Sequence, residues 1–138
     1  MSACCDSDTA CVFARALLAR GAVCELSRRR SLAERELVEC SSPVARTNCS
    51  TLAALMHERA RLALKLPRPE LPITHAQALR LHCGALAGLC GALGEAHADV
   101  HRLVTLAHER HGSLTDLPWQ DIVASVVRWQ PRPRRYTP

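Results

Sequence analysis

The chain has 138 residues, a mass of 15.1 kDa and a formal net charge of +5, enough for one domain that buries its own core without disulfide staples. Hydrophobic residues make up 48% and aromatics only 3%, a balance carried by Leu, Ala and Val that predicts a mainly α fold, a single bundle of about five helices. Of the 18 basic residues only Lys65 is lysine; with the Ala and Leu excess this matches a GC-rich coding bias, so net charge is a weak argument for nucleic acid.

Eight cysteines would suggest a disulfide framework in a secreted chain. The first residues, however, carry Asp6 and Asp8 where a signal peptide needs bases, and Arg15 and Arg20 interrupt the apolar run that follows. The longest later apolar stretch, Leu86 to Leu93, falls far short of the roughly 20 residues that span a bilayer. A reducing cytoplasm is the expected setting, with no membrane partner. There, clustered cysteines point to metal or redox chemistry rather than to structural disulfides.

In chain order, Asp6, Ser7, Asp8 and Thr9 offer N-caps to a first helix through Phe13, Leu17 and Leu18, with Gly21 placed to end it. This helix is expected to carry Cys11. Residues 22–40 read two ways: Ser31-x-x-Glu34 is a capping box and favours an irregular loop with a short helix, whereas Glu36-Leu37-Val38-Glu39-Cys40 alternates as a strand does and allows a small hairpin over 24–40. The loop with a short helix is the preferred reading.

Ser42-Pro43 is a cap followed by a proline at the first helical position, and Leu52, Leu55, Met56, Leu62 and Leu66 then recur at helical spacing. The stiff connector Pro67 to Pro72 ends that helix, and Thr74-x-x-Gln77 caps a third. It contains His75, His82, Cys83 and Cys90. Gly84, Gly88, Gly91 and Gly94 each cost about 1 kcal/mol of helix propensity against Ala, which a tight helix contact or close backbone approach to a cluster would justify.

A break near Gly94 leads to a fourth helix with Val100, Leu103, Val104 and Ala107 inward and Gly112 at its end. From Asp116 a last helix turns Ile122, Val123, Val126 and Val127 inward. Residues 1–130 thus form one domain, and the basic, Pro-rich 131–138 reads as a disordered tail.

The residues that carry chemistry are thiols. Cys24, Cys40, Cys49 and Cys83, separated by fifteen, eight and thirty-three residues, are the best candidates for ligands, because four soft thiolates complete a zinc or iron–sulfur shell. No C-x-x-C pair occurs, so the spacing fits no zinc ribbon and suits a cluster held between helices better. Cys40 and Cys49 flank a helix start, where backbone N–H groups stabilise thiolate charge. Cys83 and Cys90 sit about 10 Å apart along one helix face, so only one can join that site, and Cys83 is chosen. Cys11 and Cys90 are reserves, otherwise small buried apolar residues.

On the fourth helix His97, His101, His108 and His111 fall within about 80° of one another, and His97/His101 at i,i+4 is a weaker metal pair without an H-E-x-x-H motif. A polar, solvated face is their simpler reading, as an exposed turn is for His57-Glu58-Arg59. No nucleophile elbow, phosphate loop or paired-carboxylate motif occurs, so nothing supports an enzyme. Arg28-Arg29-Arg30 and the tail lack interleaved aromatics, which leaves nucleic acid unsupported as a partner.

The order Cys40-Ser-Ser-Pro-x-Ala…Cys49, then Ala63-Leu64-Lys65-Leu66, Leu71-Pro-x-x-His75-Ala76 and Leu81-x-Cys83-Gly84-x-Leu86-x-Gly88-Leu89 resembles a group of small bacterial cysteine-containing helical proteins over residues 24 to 129. The resemblance implies a cluster-binding role, with Cys83 preferred to Cys90, and adds no reaction. The expected function is therefore an iron–sulfur protein for electron transfer or redox sensing, with a redox protein partner. The alternatives are structural zinc in the same thiols and a cofactor-free helical interaction module.

Overall fold

The computed structural model describes residues 9–131; the tail expected at 131–138 lies, apart from Pro131, outside the described residues, as do the caps Asp6, Ser7 and Asp8. Among the described residues the order is α1 (Ala14–Leu18), β1 (Ser27–Leu32), β2 (Arg35–Cys40), α2 (Pro43–Leu64), α3 (His75–Ala92), α4 (Val100–His111), a 3-10 turn (Leu114–Asp116) and α5 (Trp119–Arg128). The fold is mainly α, as composition predicts. Leu81, Leu86 and Leu89 of α3 are buried at the centre, with Leu52 and Met56 of α2, Leu103 of α4, Ile122 and Val126 of α5 and Phe13 and Leu17 of α1 around them. Each such side chain contributes about 1.5–3 kcal/mol through the apolar surface it removes from water.

The caps follow the sequence closely. Ser42 accepts from Ala45 N–H with Pro43 in the first turn, and Thr74 and Gln77 close a full capping box at 3.1 and 2.9 Å. Asp99 caps α4 and Gly112, at φ 77°, ends it. Gly84 and Gly88 serve a helix contact rather than a cluster: a Cβ on Gly84 would lie 2.7 Å from Val126 Cα, and one on Gly88 would lie 2.8 Å from Ser125 Cβ. They let α5 lie directly against α3, where Ser125 Oγ also donates to Gly84 O at 2.9 Å.

Several expectations need correction. The region 22–40 is an antiparallel hairpin, not a loop with a short helix: Ser27 pairs with Cys40 and Leu32 with Arg35, leaving Ala33-Glu34 as a two-residue turn where the capping box predicts a helix start. Gly21 does not take the left-handed position after α1. Arg20 does, at φ 61°, and the Arg20 and Gly21 N–H groups close the helix end on Leu17 O and Ala16 O. Gly21 is small because a Cβ there would meet Cys83 Sγ at 2.5 Å.

α1 starts only at Ala14, so Cys11 precedes it. Leu62 is 92% exposed and Val127 45%, so neither belongs to its inward stripe. His57 is not a free surface turn either: its Nε2 sits 2.9 Å from Pro67 O and ties the connector to α2. His97 lies in the bend before α4, which removes the i,i+4 pair with His101.

Candidate functional site

Three hydrogen-bonded ties bring distant cysteines to one place. Residues 9–11 run along the free edge of β2, with Cys11 N–H donating to Val38 O at 2.9 Å and Cys40 N–H to Thr9 O at 2.7 Å. Cys11 and Cys40 thereby share the inner face of the sheet with buried Val38, because residues of one strand alternate between faces. On the other side of the hairpin, Val23 N–H donates to Ala98 O (2.9 Å) and Val100 N–H to Val23 O (2.8 Å), which fixes Cys24 at the start of α4. The third tie holds the N-terminal half of α2, and Cys49 with it: Arg46 Nε donates to Ala10 O at 2.8 Å.

The result is a cavity of about 60 Å³ between sheet, α2 and α4. Cys11, Cys24, Cys40 and Cys49 all line it, and Arg46, Asn48, His101 and His108 add polar groups to a mostly apolar wall. At that size it has room for more than one water-sized group. Every described cysteine is a free thiol. Among the described residues, no three Cys, His, Asp or Glu side chains converge closely enough to hold one metal ion; the thiols ring the cavity.

The thiols feel both burial and each other. Burial pushes Cys49 up to about 12, and negative charge on Cys24, Cys11 and Cys40 would push the same way. Cys11 is raised by burial and by Cys24 and Cys40, against the Phe13 backbone N–H and Arg46, which lower it. Cys24 is raised by burial, while the N–H groups of Leu26 and His101 pull it back and Asp99 and Cys40 raise it. Cys40 Sγ donates to Ser42 O at 3.3 Å. As neutral thiols these groups pack well; as thiolates they need a cation among them.

Of the residues selected from sequence, the structure brings together Cys24, Cys40 and Cys49 but not Cys83. Cys83 is buried against Gly21 and lines a separate cavity with Arg20, Trp129 and Gln130. Its thiol is raised by burial alone. Cys11, a reserve taken for a packing residue, stands in the fourth place. Cys90, the other reserve, donates to Glu95 O at 3.1 Å beyond the end of α3, away from the cavity. His101 lines the cavity edge and approaches Glu25 Oε1 at 3.7 Å. Sequence reasoning missed Arg46 at the wall and read His108, also there, only as part of a polar, solvated helix face. A strand over 36–40 needs partners on its edges, and that was the available pointer to residues 9–11 and hence to Cys11.

No family model, curated protein or solved structure matches this chain. Among the described residues no helix is long and apolar enough to cross a membrane.

Proposed function

We propose that this chain is an iron–sulfur protein in which Cys11, Cys24, Cys40 and Cys49 hold a cluster for electron transfer or redox sensing, in a reducing cytoplasm and with a protein redox partner. The observation that carries the reading is that four thiols from three separate parts of the chain line one cavity. Donors that surround a space without three of them meeting at a point suit a cluster, whose thiolate ligands bind different irons, better than one zinc ion about 2.3 Å from every sulfur. The donor set therefore fits the group. A bound cluster would supply one-electron chemistry; the chain supplies the thiolates, the Arg46 charge and the N–H groups of Leu26 and His101 that offset their negative charge.

Loading must drive a proton from each thiol, Cys49 above all, so cluster assembly is favoured by rising pH. The competing reading is a cofactor-free interaction module, and it draws on the same raised thiols, which pack as small apolar groups. Anaerobic purification with iron, acid-labile sulfide and zinc measured per chain separates the readings. The cluster reading predicts a brown protein with iron and sulfide in matching amounts. Zinc alone makes the site a structural zinc centre, and a colourless chain free of both metals leaves the interaction module.

A further inference from the structure

The hairpin carries its excess positive charge on one face. Cross-strand partners share a face, so Arg28, Arg30 and Leu32 of β1 stand with Leu37 and Arg35 of β2 on the side away from the cavity. The opposite face is the packed one, where Val38 is buried and Arg29 donates to Leu17 O at 3.2 Å and pairs with Glu36 at 2.9 Å. On the outer face Arg30 pairs with Glu39 at 3.0 Å, while among the described residues Arg28 and Arg35 have no ion-pair partner. Leu32, 55% exposed, stands opposite Arg35 and two residues from Arg30 on the same face. The row from Arg28 to Arg35, which sits opposite Leu32, spans about 14 Å at 3.4 Å per residue.

We propose that this outer face is the docking surface for an acidic protein electron carrier, a proposal that rests on the cluster reading of the adjacent cavity. Charge complementarity selects the occupant. Four arginines against three glutamates over residues 27–40 leave too little excess charge to grip a polyphosphate backbone, and no aromatic is available to stack on bases. Two guanidiniums without ion-pair partners among the described residues, beside exposed Leu32 and half-buried Leu37, instead match a protein patch of carboxylates around an apolar centre, of the small, weak kind that electron-transfer complexes use. The position fits the role, because Ser27 and Cys40, paired at the base of the hairpin, both line the cysteine cavity. A cluster held in the cavity would accept one electron from the reduced carrier in the complex, the carrier being oxidised as the cluster is reduced.

The test titrates anaerobically purified protein with a small acidic plant-type ferredoxin, and separately with a DNA duplex, at low and high salt, with iron measured on every sample. The double change Arg28→Glu/Arg35→Glu is compared with Arg59→Glu/Arg68→Glu, which alters net charge equally at exposed positions on α2 and the connector. Docking predicts ferredoxin binding that weakens with salt and at least tenfold with the hairpin pair, and stays near wild type with the control pair. Absence of ferredoxin binding, equal weakening by both pairs, or hairpin-dependent binding of DNA in its place overturns it. Hairpin-dependent ferredoxin binding by a chain without iron keeps the docking surface and removes the cluster.

Discussion

His82 is half-buried on α3, with its buried Nδ1 lacking a hydrogen-bond partner among the described residues, and its ring meets Phe13 edge to face at 5.1 Å. Burial, then the charges of Arg15 and His57, push its pKa from 6.5 down to about 4. The fold therefore holds a neutral imidazole where the unfolded chain begins to bind a proton. That stability is fully present above about pH 6.5 and is lost as pH falls towards 4. Replacing His82→Phe keeps the ring contact and removes the unpaired nitrogen. It should raise stability near neutral pH by about 1 kcal/mol and flatten the acid limb of the urea-midpoint profile. An acid limb as steep as that of the wild type would contradict the assignment. In the sequence His82 reads only as a neighbour of Cys83 on one helix face; its burial against Phe13 depends on where α1 docks, which no local pattern encodes.

Among the elements, α3 shows how the same residue type can have opposite roles. Gly84 and Gly88 face the α5 backbone, whereas a Cβ on Gly91 would meet nothing within 4 Å. Gly84→Ala and Gly88→Ala should each destabilise by about 1–3 kcal/mol, because backbone atoms of α5 cannot move aside as a flexible side chain can. Gly91→Ala should instead stabilise by about 1 kcal/mol through helix propensity. Thermal melts of the three variants check the contrast, and equal shifts would refute the close α3–α5 contact. The helices were legible because Ser42-Pro43, Thr74 with Gln77, and Gly112 act within a few residues of themselves. The hairpin was only half legible. Its two-residue turn puts Ala33 at φ 57°, a conformation ordinarily filled by Gly, Asn or Asp, so the turn signal was missing while Ser31 and Glu34 imitated a helix cap.

For the molecule as a whole, the site arises where the chain's first described residues, the hairpin, α2 and α4 meet. Cys40 and Cys49 could be chosen from their polar, helix-start surroundings, and Cys24 as the thiol upstream of them. The fourth position could not, because the edge pairing of residues 9–11 with β2 is non-local, while the Gly-containing run and the resemblance favoured Cys83. That thiol lies with Trp129 and Gly21, outside the cysteine cavity. The central claim is thus a choice between two cysteines. Iron per chain, measured after anaerobic purification of Cys11→Ala and Cys83→Ala beside wild type, decides it most directly. The proposed ligand set predicts that Cys11→Ala loses most of the iron and that Cys83→Ala keeps the wild-type amount. Full iron in Cys11→Ala with loss in Cys83→Ala would contradict the four-thiol cavity as the ligand set.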